Sequence, residues 1–292
     1  MQASRSEFLQ IRGLRYHIRQ WGDPQAPRLF LLHGWMDVSA SFQFMIDALQ
    51  QEWHCIAPDW RGFGLTENSA SDTYWFADYL ADLDAIFDHY QPAEAVRLVG
   101  HSMGGNVAML YAGVKPERVA ALANLEGFGL PATDPAQAPR RMRHWLDEIK
   151  LDLSMRPYDD LQQVQKRLQK NNPRLSDARA AFLAQHWARQ GRDGKWQILG
   201  DVAHKRNGPL LYQVEQIMAA WRQISAPVLW IEGAQTDVSK WFGPEPAFRT
   251  EIERRIGHLQ QVQRHVLPDA GHMLHHDQPE LLAQLLEDFM PR

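Results

Sequence analysis

The stretch that decides the fold is Val96-Arg97-Leu98-Val99-Gly100-His101-Ser102-Met103-Gly104-Gly105. A short apolar run ends at a glycine, a serine follows two residues later, and a helix-prone segment begins after two more glycines. The pattern G-x-S-x-G between a strand and a helix is typical of a sharp turn that lifts a serine hydroxyl clear of the sheet. It predicts Ser102 as a nucleophile at the positive end of a helix. An ordinary glycine-rich turn with a solvent-facing serine is the alternative.

The composition indicates a globular protein and excludes several classes of function. The chain has 292 residues, of which 45% are hydrophobic and 23% charged, which fits one large α/β domain with an insertion. A net charge of −4 provides no basic surplus for nucleic-acid phosphates. The single cysteine, Cys55, excludes an intrachain disulfide and fits a reducing compartment.

The apolar patterning predicts neither a secretory leader nor a membrane span. The first residues contain no apolar core, and no apolar run approaches the roughly 18 residues that a membrane helix needs. We therefore expect a cytoplasmic protein whose partner is a small-molecule substrate, without nucleic acid or membrane. Nothing in the sequence indicates the oligomeric state.

Strand-like and helix-like segments alternate along most of the chain. Apolar or alternating runs predict eight strands, near residues 8–11, 14–19, 29–32, 53–57, 96–100, 119–125, 227–231 and 262–267. Segments with helical spacing of apolar residues separate most of them. This order predicts an α/β fold with a mostly parallel eight-stranded sheet, covered by helices on both faces.

The composition changes after Phe128, where glycine and proline precede a polar stretch. From there to about residue 222 the apolar spacing is helical, and no strong strand-like alternation is present. We therefore predict a core formed by residues 1–128 and 223–292, with residues 129–222 inserted as a helical cap.

Three polar residues that suit nucleophilic catalysis follow three separate strands: Ser102, Asp237 and His272. The carboxyl ends of parallel strands share one edge of the sheet, where α/β proteins place their sites. A serine hydroxyl needs a base to remove its proton, histidine can act as that base, and a carboxylate orients the imidazole. Glu126 and Glu232 also follow strands and are alternatives to Asp237 as the acid.

The surroundings of these residues leave further choices open. His275 or His276, rather than His272, is a candidate base, although Gly271 permits the bend that would aim His272 at Ser102. His33 and His101 flank glycines and are expected to support loops by hydrogen bonding rather than to titrate. We expect no metal site, because the side chains of His275 and His276 are adjacent and would point apart.

Backbone N–H groups should stabilise an oxyanion formed near Ser102. The amide of Met103 directly follows the nucleophile, and the amide of Trp35 lies in the loop after the strand at residues 29–32. Aromatic side chains in the cap and loops are candidates for an apolar substrate pocket, and we select Phe128, Trp145 and Trp187.

Four motifs in order resemble those of the α/β-hydrolase superfamily over nearly the whole chain. His33-Gly34-Trp35 resembles its oxyanion loop, and Asp59-Trp60-Arg61-Gly62-Phe63-Gly64 its D-x-R-G-x-G loop. The serine turn and the segment from Gly271-His272 to Pro279-Glu280 are similar to its nucleophile and histidine motifs. The resemblance implies the branch with a helical cap. In one departure, three residues rather than two separate Gly233 from Asp237.

The resemblance also implies a class of reaction. Members with aspartate at the nucleophile position include haloalkane dehalogenases and epoxide hydrolases, and Ser102 points away from these. We expect a serine hydrolase that acts, without a cofactor, on a small to medium apolar carboxylic ester or a related acyl compound. A C–C bond hydrolase, a perhydrolase and an acyltransferase are alternatives with the same triad, and a non-catalytic ligand-binding protein is an alternative from another class.

Overall fold

The computed structural model describes residues 1–291, and its central element is a sheet of eight strands. Two further strands form a separate small sheet. The ten strands in chain order are β1 Ser4–Ile11, β2 Leu14–Trp21, β3 Arg28–Leu32, β4 His54–Pro58, β5 Val96–His101, β6 Val119–Leu125, β7 Ala188–Gln190, β8 Trp196–Ile198, β9 Val228–Gly233 and β10 Val262–Leu267.

The order of strands in the large sheet is β1-β2-β4-β3-β5-β6-β9-β10. The hairpin β1–β2 and the pair β2–β4 are antiparallel, and all other pairs are parallel. Gly100 in β5 is in register with Leu32 in β3 and with Asn124 in β6, so these three strands end at one level. The structure confirms the predicted mostly parallel eight-stranded sheet.

Eleven α-helices accompany the strands within residues 1–291. None of them is long and apolar enough to cross a bilayer. In chain order they are α1 Gln43–Ala48, α2 Phe76–Tyr90, α3 Met103–Val114, α4 Ala138–Glu148, α5 Leu161–Asn171, α6 Asp177–Trp187, α7 Val214–Trp221, α8 Ser239–Phe242, α9 Glu245–Ile256, α10 Leu274–Asp277 and α11 Pro279–Phe289.

Helices cover both faces of the large sheet because its parallel strands are apolar on both sides. Phe30 and Leu32 belong to the core that α2, α3, α7 and α9 share with one face. Leu29 and Leu31, which point the other way, belong to the core shared with α1, α10 and α11. This arrangement confirms the prediction of helices on both faces.

Residues 129–222 contain α4 to α7, and a third apolar cluster joins α5 and α6 to Phe44. The structure adds the hairpin β7–β8, which the sequence analysis did not predict. Three-residue strands are too short for a visible alternation, although Asp193-Gly194 supplies a turn signal. Helix α7 packs on α3, with Trp221 in the main core, so this part of the segment is joined to the core by packing. The division into core and cap stays a prediction.

A buried ion pair fixes the loop that follows β4. The guanidinium of Arg61 donates to both carboxylate oxygens of Asp82 in α2, at 2.5 and 2.6 Å, and Tyr16 donates its hydroxyl to the same carboxylate at 2.7 Å. The side chains of Arg61 and Asp82 are 7% and 0% exposed. Because both side chains are buried, their charges depend on such partners for compensation, which for Asp82 also include Arg12 at 3.1 Å.

We expect Asp82→Ala to lower the free energy of unfolding by about 3 kcal/mol, because it leaves the Arg61 guanidinium buried beside fewer acceptors. Asp88→Ala, on the same helix, is the matched control. The side chain of Asp88 is 63% exposed, and this change should cost less than about 1 kcal/mol. Urea unfolding of both variants measures the difference, and equal costs would contradict the importance assigned to the buried pair.

A partly buried histidine joins the segment 129–222 to the same loop. The ring of His204 is stacked between those of Phe63 and Tyr74, each with a centroid separation of 3.7 Å, and its Nε2 lies 3.2 Å from the carbonyl oxygen of Arg61. Burial lowers the pKa of His204 to about 4. The imidazole therefore stays neutral in the folded protein at pH values where it would be protonated in the unfolded chain.

We expect the free energy of unfolding to fall as the pH decreases from about 6.5 to about 4, because the unfolded state binds more protons in this window. His204→Gln removes one of the groups that take up a proton on unfolding. The free energy of unfolding of this variant should therefore depend less steeply on pH. Guanidinium unfolding between pH 4.5 and 7 measures this pH dependence, and an unchanged pH dependence in the variant would argue against a neutral His204 in the folded protein.

Candidate active site

The turn between β5 and α3 holds Ser102 in an unusual backbone conformation. Its φ and ψ are 51° and −115°, which for a residue with a side chain costs roughly 1–3 kcal/mol. The N–H of Ser102 donates to the carbonyl oxygen of Leu125 at 2.8 Å. A Cβ atom added to Gly104 would lie 2.1 Å from the carbonyl oxygen of Leu32, so the turn requires glycine there. The close packing of β3, β5 and α3 therefore holds the serine in place.

A chain of hydrogen bonds links Ser102, His272 and Glu126. The hydroxyl oxygen of Ser102 lies 3.0 Å from Nε2 of His272, and Nδ1 of the same ring lies 3.1 Å from Oε2 of Glu126. Because a carboxylate only accepts, Nδ1 carries the proton, and Nε2 presents a lone pair to the serine hydroxyl. The main-chain carbonyl of His272 accepts a hydrogen bond from Nε2 of His101 at 2.8 Å. This arrangement allows proton transfer from Ser102 to His272.

Glu126 follows β6 in a left-handed turn with φ 59°. The residue is 2% exposed. The N–H of Gly233 donates to its Oε1 at 2.7 Å, and the hydroxyl of Thr236 donates to its Oε2. These donors compensate the buried carboxylate and fix its direction toward His272.

The structure corrects the acid predicted to contact the imidazole, because Glu126 and not Asp237 lies beside His272. In the described part of the chain, Asp237 pairs with Lys240 at 2.5 Å, its side chain is 62% exposed, and no hydrogen bond joins it to His272. The turn after β9 directs Thr236 toward Glu126 and leaves Asp237 outside the site. Glu232, the other alternative, is buried and accepts from the indole of Trp230 at 2.8 Å.

The neighbouring histidines are structural partners of loops and of each other. Ser41 Oγ lies 3.1 Å from Nε2 of His275 and 2.7 Å from Nε2 of His276. His33 accepts from the N–H of Trp60 at 2.9 Å. Burial, reinforced by neighbouring histidines, holds the pKa of His101 and of His275 well below the usual range. As predicted, His33 and His101 contact loop backbone, whereas His272 alone among these rings contacts Ser102.

The two predicted oxyanion donors belong to the helix start after Ser102 and to a loop that approaches the serine. The amide of Met103 begins α3 directly after the serine. A Cβ atom added to Gly34 would be 3.2 Å from Cβ of Ser102, so the loop that carries Trp35 passes beside the serine. Within residues 1–291, neither the amide of Met103 nor that of Trp35 has a hydrogen-bond acceptor. Their role as oxyanion donors stays a prediction.

One of the predicted pocket residues belongs to the core instead. Phe128 is 2% exposed, and its ring packs edge-on against those of Trp230 and Phe248, with centroids 5.8 and 5.4 Å away. Phe128, two residues after Glu126, thus packs in the protein interior.

The other two predicted pocket residues lie in the inserted segment and contact loops of the core. The indole N–H of Trp145, in α4, donates to Thr73 at 2.8 Å. The indole N–H of Trp187, in α6, donates to Oδ1 of Asp37 at 3.0 Å, so this residue supports the loop that carries Trp35. Both indoles are partly exposed.

Trp241 is an aromatic neighbour of the site that was not selected from the sequence. Its ring lies 5.7 Å from that of His272, and it is 53% exposed, as is Trp35. Helix α8, which carries it, is only four residues long, so no periodic pattern indicated its orientation. Trp241 thus provides exposed apolar surface beside the imidazole, and Trp35 provides more on the loop that passes beside the serine.

The sequence feature that could have identified Glu126 as the acid is the turn formed by Asn124 and Gly127 around it. Asn124 Oδ1 accepts from the N–H of Gly127 at 3.1 Å, and Asn124 Nδ2 donates to the carbonyl of Gly127 at 2.9 Å. An Asn three residues before a Gly, at the end of a buried strand, suits a fixed turn. Such a turn places the residue before the glycine reproducibly at the sheet edge.

A family model and several relatives match the chain over most of its length. The model of the alpha/beta hydrolase fold matches residues 27–279. The serine hydrolase-like protein of Danio rerio is 25% identical over 276 residues, which cover 92% of this chain and 83% of that protein. The cis-3-alkyl-4-alkyloxetan-2-one decarboxylase of Shewanella oneidensis is 24% identical over 294 residues, covering 97% of this chain and 87% of that protein.

Solved structures share the fold. The thioesterase domain from the curacin biosynthetic pathway has a TM-score of 0.85 at 23% sequence identity, covering 98% of this chain and 99% of that one. Because the match covers 98% of this chain, it includes most of residues 129–222.

We expect Glu126→Gln to slow the reaction of Ser102 with a fluorophosphonate probe by about 10³- to 10⁴-fold, because an amide no longer stabilises the imidazolium or selects its tautomer. Asp237→Asn is the matched control and should react at nearly the rate of the unaltered protein. The rate of probe labelling, followed by intact-protein mass spectrometry, measures both. A large loss of labelling rate in Asp237→Asn, without one in Glu126→Gln, would contradict the assignment of Glu126 as the partner of His272.

Proposed function

The chain belongs to the alpha/beta hydrolase fold family, and we propose that it is a serine hydrolase acting on a small to medium apolar carboxylic ester or a related acyl compound. The reaction proceeds through an acyl-serine intermediate. The observation that carries this proposal is the hydrogen-bonded series of Ser102, His272 and Glu126 at the carboxyl edge of the sheet.

Acylation begins with attack of the Ser102 oxygen on the acyl carbon of the ester. Nε2 of His272 takes the hydroxyl proton as the new carbon–oxygen bond forms, and Glu126 stabilises the resulting imidazolium through Nδ1. The amides of Trp35 and Met103 donate to the oxyanion of the tetrahedral intermediate. When the intermediate collapses, the bond to the alcohol oxygen breaks, His272 returns the proton to that oxygen, and the alcohol leaves.

Deacylation repeats these steps with water as the nucleophile. His272 removes a proton from the water as its oxygen attacks the acyl-serine carbonyl, and the same amides stabilise the second oxyanion. Collapse breaks the bond to the Ser102 oxygen, which regains its proton from His272. The sum of both halves is one ester and one water converted to one acid and one alcohol.

Two observations favour an apolar acyl or alcohol group. The ring of Trp241 lies beside the imidazole, and Trp35 is exposed on the loop that passes beside the serine, so both offer apolar surface that a substrate would cover. The Shewanella oneidensis relative is named for an oxetan-2-one, which is a cyclic ester with alkyl substituents. A substrate panel should therefore include linear esters, lactones and thioesters of increasing chain length.

We expect Ser102→Ala to hydrolyse p-nitrophenyl butyrate at least about 10³-fold more slowly than the unaltered protein, because no other group can form the acyl intermediate. Ser71→Ala, at an exposed serine, is the matched control and should retain full activity. A stopped assay with thioesters and lactones tests the wider acyl class in the same preparations.

Labelling by a fluorophosphonate distinguishes an enzyme from a binding protein with the same fold. Covalent modification of Ser102 in the unaltered protein, absent from Ser102→Ala, is the expected result. Full hydrolytic activity in Ser102→Ala, or no labelling and no turnover across the panel in the unaltered protein, would contradict the proposed function.

A further inference from the structure

Behind the proposed catalytic residues lies a cluster of three buried polar side chains that the hydrolytic mechanism does not use. Asp37, His101 and His275 are 4%, 2% and 0% exposed. Each offers one potential ligand atom, and these atoms lie within 4.8 Å of one another. The sequence analysis predicted no metal site, and no local pattern indicates this cluster, because its members come from three separate parts of the chain: the loop after β3, the end of β5 and helix α10.

All three side chains have one polar atom without a hydrogen-bond partner. These atoms are Oδ2 of Asp37, Nδ1 of His101 and Nδ1 of His275, each buried and unpaired within the described residues 1–291. Burying a polar group without a partner costs roughly 1–3 kcal/mol, so three such atoms on side chains that lie together favour a compensating group between them.

The chemistry of the unpaired atoms favours a cation. His101 must donate its Nε2 proton, because its partner is the carbonyl oxygen of His272, which can only accept. Nδ1 of His101 therefore presents a lone pair. Oδ2 of Asp37 is also an acceptor, and two acceptors cannot satisfy each other. His275 presents a second such lone pair when its Nε2 donates to Ser41, 3.1 Å away.

From these contacts we propose that Asp37, His101 and His275 form a binding site for one divalent transition-metal ion of the zinc type. Two imidazoles and one carboxylate suit Zn²⁺, Co²⁺ and Ni²⁺, whereas Mg²⁺ and Ca²⁺ prefer oxygen ligands throughout. Three protein ligands leave a fourth position for water or another small ligand.

Outer contacts already orient the three ligands, as is usual for metal sites. The indole N–H of Trp187 donates to Oδ1 of Asp37 at 3.0 Å, which leaves Oδ2 for the ion. The carbonyl of His272 fixes the ring of His101, and Ser41 contacts the ring of His275. The inserted segment, through Trp187, thus contributes to the site without supplying a ligand.

The separation of the ligand atoms requires only a small closure. An ion at the centre of an equilateral triangle with edges of 4.8 Å would be about 2.8 Å from each atom, and Zn²⁺ binds nitrogen and oxygen at about 2.0–2.2 Å. Inward shifts of under about 1 Å per side chain, through rotation about its own bonds, bring the set to bonding distance.

The experiment uses the whole protein, freed of metal with a chelator and titrated with Co²⁺ as a spectroscopic probe and with Zn²⁺ by calorimetry. We expect one ion per chain and a visible absorption typical of four- or five-coordinate Co²⁺. Asp37→Asn, which keeps the acceptor for Trp187, and His275→Gln should each weaken binding at least about tenfold. The controls His144→Gln and Asp193→Asn, at exposed residues, should bind as the unaltered protein does.

X-ray absorption of the Zn²⁺-loaded unaltered protein tests the ligand set independently of any variant and of the proposed hydrolysis. Imidazole scattering from two histidines, with oxygen completing the shell, is the expected result. Absence of stoichiometric binding, an all-oxygen shell, or equal affinity in Asp37→Asn, His275→Gln and the controls would overturn the proposal and leave a buried water as the occupant.

Ion binding should also affect Ser102 if both the metal site and the proposed function are correct. The rings of His101 and His272 have centroids 4.9 Å apart, so a dication bound to His101 would disfavour positive charge on His272. Zn²⁺ should therefore slow fluorophosphonate labelling of the unaltered protein, and a chelator should restore it. Stoichiometric Zn²⁺ binding with an unchanged labelling rate would contradict the electrostatic coupling between the ion and His272, but not the metal site itself.

Discussion

The structure of the site depends on one buried charge, the carboxylate of Glu126, and on the donors that hold it under His272. A carboxylate so deeply buried is tolerable only when hydrogen bonds replace its hydration. Gly233 and Thr236, at the end of β9, supply two of these bonds, and the imidazole supplies the third. The same carboxylate can therefore fix the tautomer and the orientation of the imidazole.

This constraint explains why the strand ends are arranged as they are. Gly100 in β5 pairs with Asn124 in β6, and Leu125 in β6 pairs with Ile231 in β9, so the residues that follow these strands emerge side by side. The serine leaves β5 in a strained turn, and Glu126 leaves β6 in another with positive φ. Packing of the sheet and of α3 stabilises both conformations, which short isolated peptides would not hold.

Much of this could be predicted from the sequence, because the signals were local. The eight strands were indicated by apolar runs, Ser102 by its flanking glycines, and His272 by the bend that Gly271 permits. The acid was assigned wrongly, because Asp237 and Glu126 both follow strands and only the three-dimensional course of the turn after β9 places Glu126, and not Asp237, beside the imidazole. The inward direction of Phe128 and the gathering of Asp37, His101 and His275 likewise depend on long-range packing that no local pattern records.

Proton NMR of ¹⁵N-histidine-labelled protein tests the central interaction most directly, because a proton held between Nδ1 of His272 and a buried carboxylate resonates far downfield of other imidazole protons. We predict such a resonance, coupled to nitrogen, that is lost in Glu126→Gln and retained in Asp237→Asn. Its loss in the Asp237 variant, with retention in the Glu126 variant, would contradict the account.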